Sequence, residues 1–183
     1  MSIAQVAASP DQVGPSATRL LKSTSSPQVE LRRGPLRLRL SPEIGRGALD
    51  GAWWPHSRDL ATEAVDLVDR FPTPFDRIFR VVYSTPDWEP SPRRVKAAKV
   101  FVNLGSFPLD DTHLVLLKSV ASQRVLQLLV VPPEWGEQTA RHAMRIAATP
   151  SNVSSAATIL SESVDLLLAG LLSHWDDDGG THT

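Results

Sequence analysis

The sequence contains no cysteine, and this absence excludes disulfide bonds, thiol catalysis and zinc sites built on cysteine. It also fits the reducing cytoplasm, which is the location that we predict. No apolar run approaches the ~18 residues that a membrane-spanning helix needs. The N-terminal residues lack the basic and apolar stretches of a signal peptide, so we expect no membrane contact.

An excess of charge of one sign is also missing, because the formal net charge at pH 7 is only -1. A global attraction to nucleic acid or to an anionic membrane is therefore not expected. The sequence has no glycine-rich phosphate loop and no His-x-His or His-Glu-x-x-His pair. We predict no metal and no cofactor, although a folded cluster of His56, His113 and an aspartate stays open as an alternative.

The composition divides the chain into three parts. Residues 1–34 are rich in serine, proline, alanine and glutamine, which predicts a disordered N-terminal tail. Residues 35–172 are long enough to form a single domain with its own core. Residues 173–183 are acidic and end in Gly-Gly-Thr-His-Thr, and we expect a disordered tail there.

Apolar spacing within the domain predicts both strands and helices. The predicted helix at 57–71 has Ser57 as its N-cap and Asp59 in its first turn. Two further helices are predicted at 136–148 and 151–172. Strands are predicted at 36–41, 48–55, 76–84, 100–104, 112–120 and 124–131.

The loops between the later strands are too short for crossover helices, so those strands should pair antiparallel. The predicted fold is α+β, with a mostly antiparallel sheet of about five or six strands and three helices packed on one face. In the last helix, apolar residues recur at helical spacing and should face the core. These residues are Val153, Ala157, Leu160, Val164, Leu167, Leu168 and Leu171.

The segment LDGAWWPHSRDL, residues 49–60, is the strongest candidate for a site. A strand that ends at Pro55 and leads into a helix exposes backbone N–H groups, which can hold an anion. Trp53 and Trp54 point to opposite faces of an extended segment, so one could join the core while the other forms a stacking wall. The imidazole of His56 titrates near neutrality. The candidate binding residues are Asp50, Trp53, Trp54, His56 and Arg58.

The same segment also has a purely structural interpretation, which the sequence favours. One tryptophan anchors the core and the other covers a sheet edge and stays half exposed. Gly51 permits a tight bend, and Ser57 and Asp59 only cap the helix. No catalytic residue can be named from the sequence.

Two arginine clusters form a second candidate surface. One basic cluster lies close in sequence to Trp88 and consists of Arg93, Arg94, Lys96 and Lys99. The other consists of Arg32, Arg33, Arg37 and Arg39. If both lay on one face, they could bind RNA or DNA, with Trp88 stacking on a base. Arginines that alternate along a strand also solubilise a half-exposed sheet. We favour this second interpretation, so a nucleic-acid partner is possible but not expected.

Two classes of function are compatible with these patterns. The first is a non-enzymatic binding or regulatory module for a small ligand or a protein partner, since tryptophan and arginine are typical of recognition surfaces. The alternative is a small enzyme, a hydrolase or isomerase, with a Trp-lined pocket around Asp50, His56 and Asp59. We favour the binding module because no paired carboxylates, metal ligands or nucleotide loop are apparent.

Four stretches of the chain resemble a family of small actinobacterial proteins of unknown function. They are LDGAWWPHSRDL, DWEPSPRRV, LLVVPPEW and AMRIAATPSNVSSAATIL, and the Asp-Gly-Ala-Trp-Trp-Pro motif is the most specific part. The resemblance covers roughly residues 34–160. It implies a bacterial, cytoplasmic protein, and it implies no reaction, ligand or catalytic residue.

Overall fold

The computed structural model describes residues 34–72, 77–107, 112–120 and 125–178, with side chains described to residue 169. Within these residues the chain forms seven strands, three α-helices and one short 3-10 helix at Thr85–Asp87. The strands are β1 (Leu38–Leu40), β2 (Gly51–Trp53), β3 (Ile78–Ser84), β4 (Arg94–Lys96), β5 (Phe101–Phe107), β6 (Leu114–Ser119) and β7 (Val125–Val130). The helices are α1 (Leu60–Asp69), α2 (Glu137–Ala147) and α3 (Ala156–Asp178).

Several elements differ from the predicted ones. The short polar strand β4 was not predicted, because Arg94–Lys96 carries no apolar alternation. Helix α3 continues to Asp178, past the predicted boundary at residue 172. Helix α1 begins at Leu60, with Asp59 and not Ser57 as its N-cap. The predicted tail at 1–34 lies outside the described residues, apart from Gly34.

The strands form one sheet in the order β1-β2-β7-β6-β3-β5-β4. β2 pairs with β7 and β3 pairs with β5 in parallel, whereas the other neighbouring strands pair antiparallel. β2, β7, β3 and β5 therefore run in one direction, and their carboxyl ends lie at one edge. The α+β class is confirmed, and the mostly antiparallel sheet of about five or six strands is corrected to a mixed sheet of seven.

The helices lie on both faces of the sheet, so the prediction that all three pack on one face is wrong. One core joins Leu60 and Leu67 of α1 to Leu128 of β7. The other core joins residues of α2 and α3 to Leu129 and Val131. Neighbouring strand residues point to opposite faces, so α1 covers one face and α2 and α3 cover the other.

The sequence of β7 contained a signal for this arrangement. Its residues VLQLLV are nearly all apolar and do not alternate with polar ones. Continuous apolar runs are typical of strands that are buried on both faces. The parallel partner of β7 is the short strand β2, which is remote in sequence, and spacing alone could not identify it.

The turn between β1 and β2 is held by Asp50 and Gly51. The buried carboxylate of Asp50 accepts the backbone N–H of Gly45 at 2.6 Å and that of Gln127 at 2.9 Å. The backbone N–H of Asp50 in turn donates to the carbonyl of Gln127 at 2.7 Å. Gly51 has φ of 148°, and a Cβ there would lie 2.2 Å from the carbonyl oxygen of Arg39. These contacts extend the pairing of β2 with β7 beyond the strand itself.

Among the residues of α3 whose side chains are described, the buried ones lie before Val164. Ile159 is 0% exposed, Leu160 is 6% exposed and Ser163 is 2% exposed. The prediction that the apolar stripe faces the core is therefore correct for Leu160 and wrong for Leu167, which is 40% exposed. The other predicted core residues that are exposed include Val153, Ala157, Val164 and Leu168.

The two leucines of α3 should respond differently to truncation. We expect Leu160→Ala to lower the free energy of unfolding by roughly 2–5 kcal/mol, because it leaves a cavity in the core. We expect Leu167→Ala to change it by less than ~1 kcal/mol, because the side chain is already partly in water. Urea titrations of both variants measure the difference, and equal losses would contradict this assignment of the buried face.

Removal of the Asp50 carboxylate should destabilise the fold, because it joins the turn after β1 to β7. Asp50→Ala removes the acceptor of two partly buried backbone N–H groups. A hydrogen bond of this kind contributes about 0.5–1.5 kcal/mol, so we expect the free energy of unfolding to fall by roughly 1–3 kcal/mol. Asp165→Ala is the control, since Asp165 is exposed on α3. Chemical denaturation that gives the two variants the same stability would show that the turn does not depend on Asp50.

Candidate functional site

A crevice lies at the sheet edge where the carboxyl ends of β2 and β7 stand side by side. β2 leads into α1 on one face, and β7 leads into α2 on the opposite face. Adjacent parallel strands whose connections leave to opposite faces form a topological switch point, which is where open sheets bind ligands. The lining residues include Pro55, Ser57, Arg58, Asp87, Trp88, His113, Pro132 and Pro133.

One ion pair spans this crevice. Nη2 of Arg58, in the loop after β2, lies 2.5 Å from Oε1 of Glu134, in the loop after β7. The side chains are 43% and 56% exposed, and exposed pairs of this kind contribute only about 0–1 kcal/mol. The main chain of Arg58 is held separately, because its carbonyl accepts the N–H of Glu89 at 2.9 Å. The backbone of Arg58 is thus held in place, whereas its guanidinium is only weakly bound to Glu134.

The electrostatic field at Glu134 is positive. Desolvation acts to raise the pKa of Glu134, but hydrogen bonds from its own backbone N–H and from Arg58 lower it. The charges of Arg58 and His113 act in the same direction, and the net effect holds the pKa of Glu134 below its usual value. The crevice therefore favours an anion at the position of the Glu134 carboxylate.

Asp87 and His113 form a second pair in the crevice. Oδ2 of Asp87 accepts the backbone N–H of His113 at 2.6 Å, and Oδ1 lies 3.3 Å from Nδ1 of the imidazole. Burial raises the pKa of Asp87, while the charges of His113 and Arg58 and the hydrogen bond from the His113 backbone oppose the rise. An Nδ1–H that donates to the carboxylate leaves the lone pair of the neutral ring on Nε2.

The backbone of His113 adopts an uncommon conformation. Its φ of 61° lies in the left-handed region, which few residues other than glycine adopt, although histidine is enriched there. The N–H is bonded to Asp87, and the carbonyl accepts the N–H of Val130 at 2.8 Å. Such conformations are frequent at functional sites, where surrounding contacts hold them.

The crevice is nearly closed in this conformation. Its volume is about 10 Å³, close to the minimum that one water needs and far below the ~300 Å³ of a typical ligand pocket. Trp88 lines it, and its buried Nε1–H has no acceptor among the described residues. A ligand larger than a water molecule therefore does not fit the crevice in this conformation.

The start of α1 next to the crevice is occupied by the chain's own carboxylates. Asp59 caps the helix by accepting the N–H of Thr62 at 3.3 Å. Buried Glu63 accepts the N–H of His56 at 3.0 Å and the hydroxyl of Ser57 at 2.8 Å. Asp59 therefore caps the helix N-terminus that we considered for an anion, and the hydroxyl of Ser57 donates to Glu63 and does not cap the helix.

Trp53 and Trp54 point to opposite faces, as an extended segment requires. Trp53 is 1% exposed and stacks on Trp88, with ring centroids 5.2 Å apart. Trp54 is 7% exposed, and the guanidinium carbon of Arg37 lies 3.6 Å from its ring centroid. The expectation that one tryptophan is half exposed is wrong, because Arg37 and the second core cover Trp54.

The other candidate residues are spread over the sheet. Asp50 precedes β2 and His56 follows it, so they lie at opposite ends of the strand and do not form one pocket. Arg93 and Arg94 are exposed at the outermost strand β4, where the guanidinium carbon of Arg94 lies 4.2 Å from the ring centroid of Phe101. Trp88 is only 7% exposed, so it offers no open face for a base beside them.

The structure brings together three of the candidate residues: Arg58 and Trp88 line the crevice, and Trp53 stacks on Trp88. Sequence patterns did not identify Asp87 or Glu134 as their neighbours, and His113 entered only as an alternative metal ligand. A strand buried on both faces and followed by Pro132-Pro133-Glu134 is the signal that could have indicated this edge. Position beside such a strand's carboxyl end makes a polar residue a candidate for binding.

Among the described residues, no group of three or more histidine, aspartate and glutamate side chains could hold a metal ion. Within the same residues, no helix has the length and apolar character needed to cross a membrane.

A family described as of unknown function, DUF5994, matches residues 37–147, a range that includes the crevice, both tryptophans and α2. No curated protein and no solved structure matches the chain. The resemblance to a family of unknown function is therefore confirmed over this range, and the chain belongs to the family of unknown function DUF5994.

Proposed function

We propose that this protein is a non-enzymatic binding or regulatory module that holds a small anion, a carboxylate or a phosphate, in the crevice between β2 and β7. The observation that carries the proposal is the Arg58–Glu134 pair, which spans a topological switch point. The Glu134 carboxylate occupies the Arg58 guanidinium, which is the group that would bind the anion of an external ligand. The actinobacterial origin and cytoplasmic location stay predictions from the resemblance.

The chemistry of the crevice suits an anion. The planar guanidinium of Arg58 can donate two parallel hydrogen bonds to a carboxylate or phosphate. Trp88 adds a buried N–H without an acceptor. Helix α2 begins close by, and its N-cap Gly136 makes no side-chain hydrogen bond to the first turn. A bound anion could accept hydrogen bonds from all of these donors. The Glu134 carboxylate contacts Arg58 through only one oxygen.

Binding would proceed by exchange of anions. The ligand replaces the Glu134 carboxylate on Arg58, and Glu134 moves into water. Arg58 stays paired throughout, so its guanidinium keeps a counter-charge at every stage. The exposed Arg58–Glu134 pair is weak, so its separation costs little and widens the crevice.

A second candidate function is a hydrolase, which the Asp87–His113 pair favours. Asp87 orients the ring through Nδ1, and Nε2 could act as a general base toward a water molecule. The crevice has room for about one water. We place this candidate second because no side chain with an activated nucleophile faces the imidazole among the described contacts.

Titration with inorganic phosphate and with acetate tests the binding proposal. We expect NMR to show amide chemical-shift changes at residues 56–58, 113 and 134–136. Arg58→Ala should abolish them. Glu134→Gln should strengthen binding about two- to five-fold, because it removes a competing anion worth at most ~1 kcal/mol.

Glu43→Gln is the matched control for the titration. Its carboxylate also pairs with an arginine, Arg46, at 3.6 Å, but in the exposed loop after β1. The proposal fails if Glu43→Gln strengthens binding as much as Glu134→Gln does. It also fails if neither anion shifts the crevice amides of the wild-type protein.

Assays with p-nitrophenyl acetate and p-nitrophenyl phosphate test the hydrolase candidate. If His113 is a general base, His113→Gln should lower the rate by roughly 10²–10⁴-fold, and Asp87→Asn should also lower it. His142→Gln on α2 is the control, because His142 lies away from the crevice next to Arg145. Turnover that is absent in the wild type, or that survives in His113→Gln, would rule this candidate out.

A further inference from the structure

The sheet face that carries α2 and α3 is covered over only part of its width. α2 packs against β1, β2 and β7, and α3 packs against α2. Leu129 of β7 lies in the core under these helices and pairs with Leu114 of β6. Every second residue of a strand points to the same face, so Lys118 of β6 also lies on this face. Lys118 is exposed, and the described helices therefore do not cover the sheet there.

A row of polar residues crosses the uncovered part of this face. Lys118 of β6 pairs with Arg80 of β3, and Arg80 pairs with Asn103 of β5. Asn103 in turn pairs with Arg94 of the outermost strand β4. Residues that pair across neighbouring strands share one face, and two positions along the same strands a lysine pairs with a phenylalanine. All of these side chains are exposed, and we call them the basic face: Arg80, Arg94, Lys96, Phe101, Asn103 and Lys118.

The charge of the basic face has a single sign. The five strands from β3 to β7 contain four basic residues, all of them on this face, and no aspartate or glutamate. In the part of the chain that the structure describes, none of the four forms an ion pair with a carboxylate. Like charges directly opposite each other destabilise a sheet, and Lys118 and Arg80 are such a pair. A partner with several negative charges would offset this repulsion.

The two arginines of the basic face hold their guanidinium groups against the sheet. The guanidinium carbon of Arg94 lies 4.2 Å from the ring centroid of Phe101. The guanidinium of Arg80 lies over Gly105 of β5, where an added Cβ would be 3.3 Å from Nη2 and 3.9 Å from Cζ. Phe101 and Gly105 are four residues apart, so the two guanidinium groups lie roughly 13 Å apart along β5. Planar groups held in this way are stacking positions for unpaired bases.

We propose that the basic face binds single-stranded nucleic acid. Bases stack on the guanidinium groups of Arg80 and Arg94, and the ammonium groups of Lys96 and Lys118 contact phosphates. An acidic peptide would meet the same positive charge, but it carries no planar groups for the two guanidinium faces. A duplex keeps its bases stacked on one another and offers only their edges. The stacking role that the sequence suggested for Trp88 thus passes to the arginines, because Trp88 is buried.

This inference is independent of the anion proposed for the crevice, because no residue of the basic face lines it. Fluorescence anisotropy of the full chain with a short labelled oligothymidylate tests it, and the same strand as a duplex and a labelled polyglutamate peptide are the comparison ligands. We expect the single strand to bind most tightly. Lys96→Ser/Lys118→Ser should reduce the slope of log affinity against log salt by about 1.4, because each phosphate contact of a single strand contributes about 0.7.

The double variant Arg80→Lys/Arg94→Lys separates stacking from charge. It keeps both positive charges and removes both planar groups. We expect it to bind the single strand about five-fold or more weakly, as for the loss of stacking on one base or more, with an unchanged salt slope. Arg46→Lys/Arg141→Lys is the control, since these two exposed arginines lie outside the basic face, and it should bind like the wild type.

Three outcomes would overturn the proposal. The first is an oligothymidylate that does not bind, and the second is full affinity in the Arg80→Lys/Arg94→Lys variant. The third is a comparison ligand that binds as tightly as the single strand or more tightly. Polyglutamate in that place would assign the basic face to an acidic protein partner, and the duplex would assign it to contacts with the phosphate backbone alone.

Discussion

The parallel pairing of β2 with β7 is the constraint on which the rest of this structure depends. Asp50 lengthens that short contact through the backbone N–H of Gln127, and Gly51 allows β1 to approach closely. Once the two strands lie together, the chain leaves β2 toward α1 and leaves β7 toward α2, on opposite faces. The loop after β2 and the loop after β7 therefore diverge from each other. The crevice lies between these two loops, and the Arg58–Glu134 pair connects them.

The individual strands and helices could be predicted because their signals are local. The alternation in β1, the helical spacing in α1 and the apolar runs of β6 and β7 each lie within a few residues. Strand order is set by contacts that no local pattern contains, such as the bond between Asp50 and Gln127, which are 77 positions apart. The apolar sequence of β7 indicated that both faces of this strand are buried. The sheet face on which each helix packs depends on the position of the preceding strand in the sheet, which the sequence does not reveal.

The candidate site was predictable only at Arg58, Trp88 and the tryptophan that Trp88 stacks on. Trp53 drew attention as part of a rare dipeptide, and its stack on Trp88 does link the ends of β2 and β3. Asp87, His113 and Glu134 are ordinary residues in their own sequence surroundings. They become neighbours because the carboxyl ends of three strands meet the start of β6 at one edge. Asp50 was predicted as a ligand-binding residue. Its carboxylate instead accepts backbone hydrogen bonds that stabilise the turn between β1 and β2.

The Asp87–His113 pair and the Arg58–Glu134 pair differ in how much free energy it costs to separate them. Asp87 is 6% exposed and holds both the backbone and the ring of His113, so its displacement would leave buried polar groups unpaired, at a cost of about 1–3 kcal/mol each. Glu134 is 56% exposed and contacts Arg58 through one oxygen, so water can replace it at little cost. An incoming anion should therefore displace Glu134 while Asp87 and His113 stay in place. The crevice thus has one rigid wall and one movable carboxylate, an arrangement that favours reversible binding over a structural role for the ion pair.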